Sequence, residues 1–283
     1  MFKVSPEKEV RIVRNFQLDE KTAERMDAIR KFTLMDDTFM TQVFSGDLEC
    51  TQELLSIILK RQDLKVMKSV TQLTIGNLFG RSVRLDIYAN DAAGKQYDIE
   101  VQQEDRGAVP ERARLNSALL DSRLTTAGEA YTELPETYII FITANDVLKE
   151  GLPVYTIERT VQETGKSFGD RAHIIYVNGS YRGSDEIGQL MHDFNCGDYR
   201  KMQNPKIAAR VRYFKEEAEG VATMCKTMQV IVDREREDAE IEKGKRIALN
   251  LWNGGEHDLD KIARTTELTL EQVREAITEM RSA

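Results

Sequence analysis

The chain has 283 residues and a formal net charge of -8, with 40 lysines and arginines against 48 aspartates and glutamates. Such a length can bury one cored domain of about 150–200 residues together with an extension. The acidic balance argues against a protein that coats nucleic acid through bulk charge, although it leaves room for a local basic groove.

Three scattered cysteines show neither a disulfide framework nor the spacing of a zinc site, which predicts a reducing, cytoplasmic location. The N-terminal stretch "MFKVSPEKEVRIVRNF" has no apolar run suited to a signal peptide. The longest apolar runs, "YIIFITA" and "ELLSIIL", are too short to span a bilayer. We therefore expect no membrane partner.

Hydrophobic periodicity predicts the elements in chain order. Helices are predicted at 19–31, in "DDTFMTQVFSG" up to Gly46, in "DLECTQELLSIILKR" and at 111–128. Strands are predicted at 65–75, 82–89, 97–102, 137–143, 153–159 and 172–178. The segment "TYIIFIT" at 137–143 is continuously apolar, which is typical of a strand buried on both faces. From about residue 183 the pattern is helical.

This order predicts an α/β fold with a mixed-sheet core, α-β-β-β-α-β plus extra strands, followed by an all-helical C-terminal extension. We predict three regions: an N-terminal helical segment over 1–32, the core over 33–199, and a helical C-terminal region over 200–283. The boundary near residue 200 is set where the strands end.

The stretch "RLDIYANDAAGKQYDIEVQQED" predicts a hairpin that carries carboxylates inside its strands. Strand alternation puts Asp98, Glu100 and Gln102 on one face, and the short turn sets Asp86 across from Glu100 at a Cβ separation of about 5 Å. Two carboxylates this close repel each other. The repulsion is relieved by protonation of one carboxylate, by an arginine that bridges the two, or by a divalent cation between them, for which Mg²⁺ is the natural choice. The alternative is an ordinary solvated face, but the buried strand 137–143 favours a covered cleft.

This arrangement resembles the PD-(D/E)XK nuclease superfamily, and more specifically the PD-(D/E)XK nuclease family transposases, also called recombination-promoting nucleases. The resemblance rests on the stretches "DDTFMTQVF", "RLDIY", "YDIEVQ", "GEAY", "YIIFI" and "DLDKIARTTELTLEQVREAI". It implies a restriction-endonuclease-like fold, Mg²⁺ or Mn²⁺ as cofactor, DNA as partner and metal-assisted phosphodiester hydrolysis.

The resemblance also implies roles for single residues. Asp86 and Glu100 match the acidic metal ligands, the main-chain carbonyl of Val101 completes the metal shell, and Gln102 falls where the wider superfamily has lysine. The implied catalytic residues are therefore Asp86, Glu100 and Gln102.

For three further charged residues, a role in the site is one interpretation and an ordinary exposed charge is the other. Glu53 is a candidate outer-shell carboxylate, and Arg112 and Arg123, near one stripe of the helix after the hairpin, are candidate phosphate contacts. Two departures stand out: no proline precedes Asp86, and Asn116 occupies a position near which the family often has an aromatic residue. Gln102 cannot carry the positive charge of a lysine.

The C-terminal stretch predicts two short helices in a helix-turn-helix-like unit, with Asp258 as one cap and a Thr269/Gln272 capping box as the other. Its expected buried face is Ile262, Leu268, Leu270, Val273 and Ile277. Glutamates crowd the second helix, so packing or homo-oligomerisation is favoured over DNA reading.

Two functions stay open from the sequence. The first is a Mg²⁺-dependent DNA endonuclease associated with transposition or recombination. The second is a catalytically weak or inactive nuclease-fold protein that binds nucleic acid or a protein partner, and the neutral Gln102 is the feature that supports it.

Overall fold

The fold has helices at both ends of the chain and strands in its middle. The computed structural model describes residues 20–77 and 80–282, and the predictions for residues 1–19 lie outside this part. The α-helices are α1 (Glu20–Lys31), α2 (Asp37–Phe44), α3 (Leu48–Leu59), α4 (Pro110–Leu124), α5 (Glu186–Phe194), α6 (Pro205–Glu216), α7 (Ala218–Asn253), α8 (Leu259–Thr266) and α9 (Leu270–Ser282). The strands are β1 (Val66–Ile75), β2 (Val83–Asp91), β3 (Gln96–Gln102), β4 (Thr137–Thr143), β5 (Val154–Ile157), β6 (Thr160–Val161), β7 (Lys166–Ser167) and β8 (Ala172–Asn178).

Six strands form one mixed sheet in the order β1-β2-β3-β4-β8-β5. The pairs β1/β2, β2/β3 and β5/β8 are antiparallel, whereas β3/β4 and β4/β8 are parallel. Residues 139–142 of β4 are fully buried, because this strand lies inside the sheet and is covered on both faces. The short strands β6 and β7 form a separate hairpin between β5 and β8 in the sequence.

Helix α4 follows the β2–β3 hairpin and covers one face of the sheet. Its buried residues Ala113, Asn116, Ser117 and Leu120 follow the i, i+3, i+4, i+7 spacing of a helix face. Ala113 and Leu120 pack in one apolar cluster with Phe141 of β4. Half of the buried stripe is polar, so α4 presents both apolar contacts and polar groups to the sheet.

Several further helices pack around the sheet and one another. Helices α2 and α3 contact β1, and α5 and α6 contact α3. Asp47 begins α3 by accepting a hydrogen bond from the N–H of Cys50 at 2.9 Å, a cap of the kind that stabilises a helix by about 1 kcal/mol. Tyr97 and Ile99, on the face of β3 opposite the carboxylates, are fully buried, so both faces of the hairpin are covered.

Residues 225–283 form a second compact unit, built from most of α7 with α8 and α9. Asp258 accepts from the N–H of Lys261 at 3.0 Å, and Thr269 and Gln272 exchange capping bonds of 2.8 and 3.2 Å, which confirms both predicted caps. The apolar core is Ala248, Ile262, Ala263, Leu268, Val273 and Ile277. The assignment of Leu270 to this face is wrong: its side chain is 38% exposed at the first position of α9, ahead of the buried stripe.

The fold class is confirmed: a mixed α/β core with a six-stranded sheet is followed by C-terminal helices. The first compact unit of the described chain ends at residue 224, and the boundaries predicted at residues 33 and 200 stay a prediction. In the part of the chain that the structure describes, every helix is too short or too polar to cross a membrane.

Candidate active site

The open end of the β2–β3 hairpin carries the two acidic residues predicted to bind metal. The strands pair from Asn90 with Gln96 to Ile87 with Ile99, and the same register continued by one residue sets Asp86 opposite Glu100. The N–H of Val101 donates to Oδ2 of Asp86 at 2.9 Å. The structure therefore brings Asp86 and Glu100 together on neighbouring strands, with Asp86 8% exposed and Glu100 fully buried.

Asn116 of α4 ties two carboxylates of β3 together. Its Nδ2 donates to Oδ2 of Asp98 at 3.0 Å and to Oε1 of Glu100 at 3.2 Å, and all three side chains are fully buried. The other oxygens of Asp98 and Asn116, both Oδ1, have no hydrogen-bond partner in the described part of the chain. A buried polar atom without a partner costs about 1–3 kcal/mol, so this arrangement costs stability.

Arg112, one helical turn before Asn116, brings a positive charge to the carboxylates. Its Nη2 donates to Oε2 of Glu100, and its Nη1 donates to Oε1 of Gln102 at 2.8 Å and to the carbonyl oxygen of Gly107 at 3.0 Å. Gln102 donates from Nε2 to the same Oε2 of Glu100 at 3.3 Å. An arginine thus pairs with Glu100, but within the described residues it makes no hydrogen bond to Asp86 and so does not bridge the two carboxylates.

Gly107 closes tightly over these two side chains. A Cβ atom at this position would lie 2.1 Å from Oε1 of Gln102 and 3.4 Å from Nη1 of Arg112. The first distance is far below a van der Waals contact. A residue without a side chain is therefore required here if Gln102 is to keep its place against Arg112.

Burial raises the pKa of all three carboxyl groups at this end of the hairpin. The pKa of Asp86 is raised to about 6, opposed by the hydrogen bond from Val101. Burial also raises the pKa of Asp98, which the bond from Asn116 opposes. For Glu100, burial and the neighbouring charges of Asp98 and Asp86 raise the pKa. A bound divalent cation would reverse these shifts, because it favours the ionised forms.

A cleft of about 610 Å³ opens beside Asp86. Four arginines line it: Arg81, Arg84, Arg106 and Arg112. They outnumber its two acidic residues, Asp86 and Glu111, in a chain whose overall net charge is -8. Guanidinium groups match phosphate geometry and remain charged at any relevant pH. The cleft is thus a local basic groove next to buried carboxylates.

The structure places two of the predicted outer residues elsewhere. The carboxylate of Glu53 accepts from Nδ2 of Asn204 at 2.9 Å and pairs with Nζ of Lys206 at 2.6 Å, in a cleft that those residues line. Arg123 is exposed near the C-terminal end of α4, where its charge acts on the pKa of Tyr88, and it does not line the arginine-rich cleft. Asp86, Glu100, Gln102 and Arg112 come together, and Glu53 and Arg123 do not join them.

Sequence reasoning missed part of the site. Asp98 is placed on the correct face but given no role, and Asn116 is treated only as a departure from the family pattern. The basic groove residues Arg81, Arg84 and Arg106 are not singled out. Their signal lies in the stretches "GRSVRLD" and "EDRGAVPER", where arginines flank both acidic strands.

The donor set at this end of the hairpin suits a hard cation. Mg²⁺ is usually held by one or two carboxylates together with water and substrate phosphate oxygens, and Asp86 with Glu100 supplies two carboxylates beside an open cleft. Within residues 20–77 and 80–282, no group of three or more His, Cys, Asp or Glu side chains could hold a metal ion. A cation here would therefore need water, main-chain or substrate oxygens as further ligands.

Comparison with protein families adds to this geometry. The family model described as PD-(D/E)XK nuclease family transposase matches residues 41–180, which include the hairpin, α4 and the arginine-rich cleft. No curated protein and no solved structure matches the chain significantly. The matched segment holds the whole six-stranded sheet, so the similarity to the PD-(D/E)XK nuclease family transposases covers the sheet together with the candidate site.

Proposed function

We propose that the protein is a DNA endonuclease dependent on Mg²⁺ or Mn²⁺ and acts in transposition or recombination. The observation that carries the proposal is the meeting of the carboxylates of Asp86 and Glu100 with a cleft lined by four arginines. Buried carboxylates lower the stability of a core, and a basic groove in an acidic protein is explained if the groove binds an anion. A phosphodiester with its bound cation satisfies both features.

In this function Asp86 and Glu100 hold the cation, with the main-chain carbonyl of Val101 as a third ligand. When bound, the cation neutralises the scissile phosphate and lowers the pKa of water. The arginines of the cleft bind the flanking phosphates and fix the strand over the carboxylates. The attacking water oxygen forms the new P–O bond as the bond to the leaving sugar oxygen breaks. The water releases one proton to the solvent, and the leaving oxygen takes up one proton from the solvent.

A second candidate function has its own observation. Both oxygens of Glu100 already accept hydrogen bonds from protein groups, Oε1 from Asn116 and Oε2 from Arg112 and Gln102. A carboxylate satisfied in this way needs no cation. The alternative is a nuclease-fold protein with weak or no activity that binds nucleic acid or a protein partner through the same groove.

The domain bounds, the cellular location and the oligomeric state are also proposals. We assign the nuclease core to residues 33–199 and expect the protein to act in the cytoplasm on DNA. The helical region 200–283 is expected to support homo-oligomerisation, because among the described side chains its last helix, α9, exposes Glu271 and Glu275 but a single basic residue, Arg274. Like charge disfavours contact of such a helix with a DNA groove.

The proposed activity is tested by incubating the purified protein with supercoiled plasmid, with Mg²⁺, with Mn²⁺ or with EDTA. We expect nicking that needs the cation and falls by several orders of magnitude in Asp86→Ala and Glu100→Ala, because activation of the water is lost. Glu104→Ala is the matched control, since it removes an exposed carboxylate just after β3. Nicking that survives both substitutions, or continues in EDTA, would refute the mechanism.

A further inference from the structure

Position 102 is neutral where the wider superfamily has a lysine, so the proposed reaction lacks one positive charge at that place. The structure puts another cation against the same group. Arg112 donates from Nη1 to the amide oxygen of Gln102 at 2.8 Å. Its guanidinium reaches position 102 from helix α4, a different element of the fold.

The guanidinium of Arg112 still has donors to offer a substrate. An arginine side chain carries five N–H donors. Three are used, by Oε2 of Glu100, Oε1 of Gln102 and the carbonyl of Gly107. Among the described residues the other two have no partner, and the side chain is 33% exposed along the cleft. The guanidinium is therefore bonded to protein groups on one side and accessible from the cleft on the other.

Three contacts fix where this charge sits. Gln102 and Gly107 accept from the same nitrogen, Nη1, and orient the guanidinium plane. The ring of Phe141 lies beneath it, with the guanidinium carbon 5.8 Å from the ring centroid. A charge held in place before the reaction stabilises charge that develops during it far better than a mobile charge does.

On this basis, and resting on the proposed nuclease function, we infer that Arg112 supplies the cationic group that position 102 lacks. It contacts the scissile phosphate through its two free N–H groups, and Gln102 and Gly107 act as its positioning residues. Gln102 thus acts on Arg112 and not on the attacking water. The same guanidinium neutralises Glu100 when no cation is bound, so Arg112 and the cation compete for Oε2 of that carboxylate.

The test measures metal binding and cleavage separately in Arg112→Gln. Binding of Mn²⁺ is followed by electron paramagnetic resonance, and single-turnover cleavage of a plasmid is followed at saturating Mn²⁺. Arg114→Gln is the matched control, because it removes the same charge from an exposed position of the same helix, away from the cleft. Thermal unfolding checks that each variant is folded.

We expect Arg112→Gln to bind Mn²⁺ at least as tightly as the wild type, because its competitor for Glu100 is gone. We expect its cleavage rate to fall by about 10²–10³-fold, as when one charge-stabilising donor is removed from an active site. Arg114→Gln should change neither quantity. Loss of Mn²⁺ binding in Arg112→Gln, or a cleavage rate within threefold of the wild type, would overturn the inference while leaving the proposed function intact.

A second variant tests whether the loss of rate in Arg112→Gln comes from the missing charge or from a change in local structure. Gln102→Lys combined with Arg112→Gln moves the positive charge to the place that the superfamily uses. We expect this double variant to cleave at least tenfold faster than Arg112→Gln alone. A rate no higher than that of Arg112→Gln would count against the inference. If the wild type binds no Mn²⁺ and cleaves nothing, the proposed function and this inference both fall.

Discussion

The β2–β3 hairpin has one buried aspartate at its turn and another at its open end, and the two side chains lie in different environments. At the turn, Asp91 accepts from the N–H groups of Ala93 and Lys95, each at 2.9 Å, and from the hydroxyl of Tyr97 at 2.8 Å. At the open end, the pKa of Asp86 is raised by burial to about 6, and its neighbour Asp98 has a buried oxygen with no partner in the described structure.

The difference separates a structural carboxylate from one that we propose as part of the site. Asp91 is surrounded by donors, so its charge strengthens the turn that sets the register of the strands. At the open end, Asn116 and Arg112 satisfy both oxygens of Glu100 together with Gln102, but Oδ1 of the buried Asp98 has no partner among the described residues. Such an arrangement lowers stability and is explained if a ligand completes it, as is common at functional sites.

Among changes that keep every charged side chain, we expect the largest effect from a substitution at Gly107. In Gly107→Ala, the new Cβ would lie 2.1 Å from Oε1 of Gln102, so the glutamine must move and take its contact with Arg112 with it. Misplacing a catalytic group by about 1 Å can cost about 10²-fold. We expect a loss of that size in single-turnover cleavage, with little change in the melting temperature, because the displaced atom ends a flexible side chain.

The control for Gly107→Ala is the same substitution in a chain that lacks the obstructing side chain. In the Gln102→Ala background, the alanine at 107 has no amide to displace, and its Cβ makes an ordinary contact with Arg112. The double variant should therefore cleave faster than Gly107→Ala alone. A double variant that is slower than both single variants would mean that Gly107 acts through its backbone instead.

A smaller effect is expected for Gln102→Ala alone. It removes one neutral hydrogen bond to Arg112 and one to Glu100 but no formal charge. Losing such a contact costs about 1–1.5 kcal/mol, or roughly tenfold in rate. Single-turnover rates at saturating Mg²⁺ measure it. If this variant is as inactive as Asp86→Ala, the glutamine has a larger role than positioning Arg112.

Much of the fold is predictable because its signals are local. The apolar run of β4 and the alternation in β2 and β3 mark the core strands, and a short turn fixes the register that brings Asp86 to Glu100. The β6–β7 hairpin gives no such signal, because its two-residue strands are exposed and lack alternation. The exposure of Leu270 depends on where α9 begins, which periodicity sets only approximately.

The site is only half predictable for a related reason. Asp86, Glu100 and Gln102 lie on paired strands, so alternation and register place them. Asn116 and Arg112 reach them from α4, and no local pattern gives the rotation of a helix against a sheet. Glu53 is only a candidate outer-shell carboxylate from the sequence, and its partners Asn204 and Lys206 are about 150 residues away in the chain.

The last test compares the two aspartates directly, by making the same substitution at both ends of the hairpin without metal. In EDTA, Asp86→Asn should raise the free energy of unfolding at pH 8 by up to about 3 kcal/mol, because the pKa of Asp86 is raised from 3.8 to about 6 and each pKa unit is worth about 1.4 kcal/mol. The sign follows from the pKa of Asp86, which is about 6 in the folded chain against an ordinary value of 3.8. Its neutral form stabilises the fold below pH 3.8, and this stability is lost as the pH rises through about 6.

The gain in Asp86→Asn should therefore disappear near pH 4, where the wild-type carboxyl is itself largely neutral in the fold. Asp91→Asn should do the opposite and lower the free energy of unfolding by about 1 kcal/mol at pH 8. The two hydrogen bonds to Oδ1 lose their charge assistance, and the amide nitrogen that replaces Oδ2 cannot accept the bond from the Tyr97 hydroxyl. Urea unfolding at the two pH values measures both variants. If both substitutions destabilise the chain equally at pH 8, Asp86 is a structural residue like Asp91, and its crowding would no longer support a ligand site.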